Sequence, residues 1–284
     1  MSFNKIAIVT DSSTYIPAEE TVGLDIHVIP LWLIWDDDRF RDGVDIQPAE
    51  FYQRLRSSKT MPSSSQPSSG EFVSLFKQLS KDYDAIVAVL VSDKISGTIA
   101  SALAAQQELS DLKIEVVDST HVSMGLGYCV LAAARAAAEG RSVEEVVQVA
   151  KRMSEKIHFL FAVDTLEFLR RGGRIGGAKA LLGSALSIKP LLHFTNGQIE
   201  PLMQVRTKKK AIATMLDVAE ERLAGRPMAE VTVLDVDHEE EGDRVADMVR
   251  QRFSVEKVIR STVSPVVGTH AGPGTVGLVF YAQD

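Results

Sequence analysis

Cysteine is nearly absent: Cys129 stands alone in 284 residues. It can form no internal disulfide, and no ligand set of a zinc site can be drawn from it. No uninterrupted apolar run of ~20 residues occurs, so no membrane span and no transmembrane segment is expected. Basic charge is not in excess. Lys plus Arg is 31 against 38 for Asp plus Glu, a net charge of -7. That balance excludes an affinity built on neutralising nucleic-acid phosphates, and no nucleic acid partner is expected. The first five residues lead at once into the apolar run 6–9 and Asp11, too short for a signal peptide, which points to a cytoplasmic protein. Also missing are a Gly-x-Ser-x-Gly elbow, an HExxH pair and a P-loop. No base stands placed for an activated nucleophile. The sequence therefore names no catalytic residue, no metal site and no cofactor.

What is present argues for a packed core. Hydrophobic residues make up 45% of the chain, too many for disorder. Strand-like runs at 6–9, 26–33, 85–91 and 114–117 alternate with helical patterns at 48–56, 99–109 and 125–138. Near-continuous Val/Ile/Leu strands separated by helices predict a parallel sheet covered by helices on both faces. In the second half, 160–163, 191–194, 198–202, 231–236 and 277–281 read as strands, and 208–223 and 242–252 as helices. Asn196-Gly197 between two of these strands is a hairpin signal, so this sheet is expected to be mixed. The expected fold class is α/β, with two α/β domains at 1–156 and 157–284 meeting near the end of a helix over 142–156. Trp32, Trp35 and Cys129 read as packing residues.

Three strands of the first half end in hydroxyl or acidic groups: Asp11-Ser12-Ser13, Ser92 onward, and Asp118-Ser119-Thr120. In an open parallel sheet such carboxyl ends are where ligands bind. Helix capping uses the same residue types. The polar segment 57–70 reads as a long loop, either a donor-rich binding loop or a solvated linker. Ser96-Gly97-Thr98 joins a strand to a helix. Gly97 permits close backbone approach, and Ser96 is either a ligand donor or a helix cap.

Three further segments carry charge or glycine. Residues 170–177 combine Arg170, Arg171 and Arg174 with four glycines, suited to an anion or a partner, or simply solvated. Arg206 precedes Lys208-Lys209-Lys210 at a helix start, where lysines oppose the dipole and something must offset them. The glycine-rich turn 268–274 holds His270, which could donate a hydrogen bond or carry charge near neutral pH. Residues 237–241 read as a solvated acidic loop.

In this order, the stretches 8–13 (IVTDSS), 64–68 (SSQPS), 96–98 (SGT), Asp118-Ser119, 171–175 (RGGRI), 188–190 (IKP), Arg206-Thr207 and 268–274 (GTHAGPG) resemble the DegV family of bacterial fatty-acid-binding proteins. The likeness runs along essentially the whole chain. It implies a lipid-binding protein, not an enzyme, that holds one long-chain fatty acid in a tunnel between its domains. It also implies a fatty acid kinase as partner, which phosphorylates the bound carboxylate. By the match, Ser64 and Ser96 would hold the carboxylate within the turn Ser96-Gly97-Thr98. Arg206 and His270 would lie near the head group, and Arg174 would help engage the kinase. Asp93 stands where a second serine is common, and its carboxylate is expected to point away from the ligand. An alternative is an enzyme acting on a phosphorylated small molecule through the Arg/His/Gly-rich loops.

Overall fold

Strand β1 (Ile6–Asp11) is buried at every position, and its β-branched and small side chains suit a strand covered on both faces. A computed structural model describes residues 5–183 and 188–283. Residues 1–4, part of the reading that no signal peptide is present, lie outside them. The chain divides into two compact units, Met1–Gln47 with Pro62–Glu155, and Pro48–Met61 with Lys156–Asp284.

The first unit holds β1, β2 (Ile26–Ile29), β3 (Trp32–Trp35) and β4 (Asp38–Arg41) before the chain leaves it for helix α1 (Pro48–Ser57). It resumes with β5 (Ser63–Ser65), α2 (Ser69–Leu79), β6 (Ala85–Leu90), α3 (Thr98–Glu108), β7 (Ile114–Asp118), α4 (Ser123–Ala138) and α5 (Val143–Lys156). The main sheet is parallel, in the order β2-β1-β6-β7. Ala7, Val9, Ile86, Ala88 and Leu90 pack with Phe72, Phe76, Ala102 and Ala105 of α2 and α3, while α4 packs against β1 and β6. The parallel sheet covered by helices is as expected. Pairing aligns Asp11 with Ile29 and Leu90 with Asp118, so the loops after these strands leave from one edge.

Two expectations for this unit change. The run 26–33 is not one strand. Pro30 has no N–H for a ladder, and the chain turns there from β2 into β3, the centre of a separate antiparallel sheet ordered β4-β3-β5. The segment 57–70 is not wholly loop either. It contains β5 and ends in a capping box, with Ser68 Oγ accepting from Glu71 N at 3.2 Å and Glu71 Oε2 accepting from Ser68 N at 2.8 Å.

The second unit contains α1, β8 (His158–Ala162), α6 (Glu167–Arg171), β9 (Lys189–Thr195), β10 (Gln198–Val205), α7 (Lys208–Leu223), β11 (Met228–Asp235), α8 (Glu239–Arg252), β12 (Val255–Thr262), α9 (Pro265–Ala271) and β13 (Val276–Ala282). Its sheet is mixed, in the order β10-β9-β8-β13-β11-β12, with only β11–β12 parallel. Asn196 and Gly197 both have positive φ, 50° and 81°, as a two-residue hairpin turn between β9 and β10 requires. Ile212, Met215, Val245 and Val249 of α7 and α8 close the core over Leu160, Val233, Leu278 and Phe280. The helix α1, read from sequence with the first domain, belongs here through Phe51, Tyr52 and Leu55, all buried.

Of residues 237–241, only Asp237 and His238 are loop, and 239–241 form the first turn of α8. His238 caps α8, accepting from Glu241 N at 3.3 Å, and the glutamates of its first turn sit where the helix dipole favours negative charge. The segment 268–274 is also not simply a turn. Pro265–Ala271 is helical, with Ser264 as cap accepting from Val267 N at 3.3 Å, and only Gly272 and Gly274 take positive φ. Among the described residues no three His, Cys, Asp or Glu side chains are placed to hold a metal ion. No helix among them is long and apolar enough to cross a membrane.

Candidate functional site

In the first unit, the carboxyl edge of the parallel sheet separates into corners whose polar groups are tied to backbone and one turn, before α3, that carries two neighbouring hydroxyls. Asp11 is fully buried and accepts from Ser13 Oγ at 2.5 Å, Ser13 N at 3.1 Å and Val91 N at 2.8 Å. Burial pushes its carboxyl pKa up, against the pull of these donors. Ser12 Oγ donates to Asp42 Oδ2 at 2.6 Å and accepts from Leu31 N at 3.0 Å. These groups are committed to capping and loop closure. The loop after β7 is likewise tied down, with Asp118 Oδ1 accepting from Thr120 N at 2.7 Å and Ser154 Oγ donating to Ser119 O at 2.7 Å.

The turn before α3 differs. Gly97, the N-cap of α3, has no side chain to bond the helix start, and Ser96 Oγ accepts from Thr98 N at 3.4 Å instead. Ser96 and Thr98 hydroxyls share a hydrogen bond of 2.8 Å, with Thr98 fully buried and Ser96 half-buried. The side chain of Gln66 rests on Gly97. A Cβ at 97 would stand 2.9 Å from Gln66 Nε2 and 3.0 Å from its Cδ. Ser64, two residues before Gln66, pairs with Leu33 in the short strand β5. Ser64, Ser96, Gly97 and Thr98 thus belong to two segments joined by this contact. Asp93 engages Asp118 through its side chain and backbone N–H. The Asp118 carboxyl is pushed up first by burial and then by the Asp93 charge, while Thr120 N opposes.

In the second unit, strand pairing aligns Val205 with Lys189, Leu191 with Ala162, Ala162 with Val276, and Val276 with Asp235. The remaining charged and glycine-rich segments leave from that single edge. Arg170 and Arg171 both pair with Glu167, which holds that carboxylate below its usual range. Arg174 turns back, its Nη1 donating to Gly172 O at 2.6 Å. Gly172 lies under the imidazole of His270, where any Cβ would overlap Nδ1. The arginine loop and α9 therefore meet. A histidine in the last turn of a helix ordinarily gains protons. Here burial, and then the charge of Arg174, push the His270 pKa down to about 4. His270 is neutral near pH 7, which corrects the expectation that it could carry charge there.

The lysines at the start of α7 have their offset. Thr207 caps the helix, accepting from Lys210 N at 3.2 Å. Lys208 Nζ reaches Asp164 Oδ1 at 3.2 Å and donates to Gly274 O, while Lys189 Nζ reaches the same Asp164 Oδ1 at 3.3 Å. Burial pushes the Lys208 pKa down and Asp164 resists. Arg206 is exposed and forms no ion pair among the described residues. Sequence reading passed over Asp164, Phe168 and Tyr52, although each meets a glycine of these segments: Gly274, Gly272 and Gly268. The glycines were the signal, since a close approach needs a partner, but spacing does not say which residue supplies it.

Comparison with known proteins places this geometry in context. The chain matches the DegV family, described as uncharacterised, over residues 5–283. It is 37% identical over 276 residues to a DegV domain-containing protein of Caldanaerobacter subterraneus, covering 97% of this chain and 98% of that protein. Its fold is similar to a DegV family protein of Thermus thermophilus described as binding fatty acid, with TM-score 0.92 and 33% identity, covering 98% of this chain and 100% of that one. It is also similar to DegV of Bacillus subtilis, described as a fatty acid binding protein, with TM-score 0.89 and 34% identity, covering 99% of this chain and 100% of that one.

Proposed function

The chain belongs to the DegV family, and from that premise we propose that it binds one long-chain fatty acid and presents it to a separate fatty acid kinase, which converts the carboxylate to an acyl phosphate. The observation that carries the proposal is the seating of Gln66 on Gly97, which joins the Ser64 strand to the turn holding Ser96 and Thr98. The fatty-acid-binding relatives from Thermus thermophilus and Bacillus subtilis support the ligand class.

Ser64 and Ser96 donate to the carboxylate, beside Gly97, Thr98 and the start of α3. Two hydroxyl bonds to a charged acceptor are on the order of 3–6 kcal/mol gross. A tail of about 16 carbons, at ~0.8 kcal/mol per buried CH₂, gains roughly 12 kcal/mol before ordering costs. The tail sets affinity and the head group sets direction. Arg206 and His270 are assigned to the head-group end, Arg174 to the kinase contact, and the tunnel implied for the tail belongs to the same proposal. The protein acts in the cytoplasm, with no turnover of its own.

The test begins with protein purified from cells, extracted and its lipid identified by mass spectrometry. The delipidated protein is then titrated with palmitate or oleate. One acid per chain supports the proposal, and protein that is always empty and takes up neither acid overturns it. Adding a fatty acid kinase to loaded protein tests presentation, which fails if no acyl phosphate forms.

A further inference from the structure

Helix α9 has only 7 residues, too few to hold a helical position without packing. Within the second unit it is gripped at its middle and at its C-terminal end. Gly268 lies under the phenol of Tyr52, where a Cβ would overlap Oη and come within 2.9 Å of Cε1 and Cζ. Tyr52 is 4% exposed, and its Oη donates to Val263 O at 3.2 Å, just ahead of the helix. One turn further along α1, Arg56 is ion-paired with Asp237. At the C-terminal end of α9, Gly272 meets the ring of Phe168, and His270 lies on Gly172, whose carbonyl accepts from Arg174.

We infer that Tyr52 is a positioning residue for His270: its phenol, filling the hollow over Gly268 and bonded to Val263 O, keeps α9 where the imidazole rests on Gly172. Among the described residues no other side chain comes as close to the Cβ position of Gly268, and a glycine has no side chain of its own with which to resist displacement. The assignment of His270 to the head group, made above, is the premise on which its functional side rests.

The experiment follows the His270 imidazole by NMR titration in the full chain, free of lipid and kinase, in parallel with acyl phosphate formation when loaded protein meets an added fatty acid kinase. In Tyr52→Ala the His270 midpoint is expected to climb by about one unit or more, as the ring leaves its buried place beside Arg174. Acyl phosphate formation is expected to fall about tenfold or more, the penalty of a misplaced group. Tyr52→Phe, which keeps the ring and deletes one hydrogen bond, is expected to move both readouts less and in the same direction. It decides the matter should the alanine variant not fold. A midpoint that stays put in the folded variants overturns the inference, because a merely stabilising Tyr52 would lower the melting temperature without moving the titration. A midpoint that climbs while the kinase step is unaltered overturns the functional role of His270. The titration needs no lipid, so failure of the clasp and failure of lipid binding are told apart.

Discussion

The side-chain amide of Gln66 lies against the Cα of Gly97, leaving no room for a methyl group between them. Gly97 itself has φ -79°, an ordinary backbone value, so alanine there meets a neighbour and no backbone strain. Because that neighbour is the end of a flexible side chain, Gly97→Ala is expected to cost about 1 kcal/mol of stability. Fatty acid affinity should drop about tenfold as Gln66 shifts with its strand. Denaturant melts beside fatty acid titration separate the two effects, and unchanged affinity would remove the contact from the site.

Deleting the hydroxyls tests the donors directly. Ser64→Ala and Ser96→Ala should each weaken fatty acid binding by roughly 1.5–3 kcal/mol, the range for bonds to a charged group. The fold should persist, since both serines are only half-buried. A double variant that binds and supports acyl phosphate formation normally rules out these two serines as carboxylate ligands.

His270 gives the molecule a pH dependence of defined sign. Its folded pKa, about 4, lies below the ordinary 6.5, so between those values the unfolded chain binds more protons. Stability from this group is complete above pH 6.5 and is lost as pH falls toward 4, a span of about 3 kcal/mol. Asp11, with a raised pKa, works in the opposite sense in the acid range. Comparing melts of the parent and His270→Gln at pH 4.5 and 7 isolates the histidine. Equal pH dependence in the two would show that the ring is not held neutral by the fold.

Arg174→Ala should leave lipid content as it is and impair the kinase step. It should also raise the His270 midpoint, because the cation that helps push it down is gone. Loss of lipid from this variant would move Arg174 from partner contact to ligand contact.

Periodicity made much of this fold legible. The buried β1 and β6 and the half-buried β7 announce themselves as apolar runs, and the hairpin at Asn196-Gly197 follows from two residues that tolerate positive φ. The strand β12 does not, because Glu256, Lys257 and Arg260 along a half-buried edge strand blur its alternation. Helix α9 looked like a loop because its glycines are there for close approach to Tyr52 and Phe168, a reason that only the tertiary structure displays. At the candidate site, Ser64 and Ser96 were recognisable one by one. That Gln66 brings their segments together depends on β5 pairing with β3, where Leu33 meets Ser64, a distant link that no local pattern encodes.

The excursion of α1 has a practical corollary. The polypeptide passes from one unit to the other after residues 47, 61 and 155, so neither is a continuous stretch of chain. Truncation at any one of these points amputates part of one body in order to isolate the other. Ending the chain at 155 leaves α1, with its buried Phe51 and Leu55, without the unit to which it belongs. Beginning it at 156 strips the remainder of Tyr52, and a protease that nicks one linker leaves the halves still tethered.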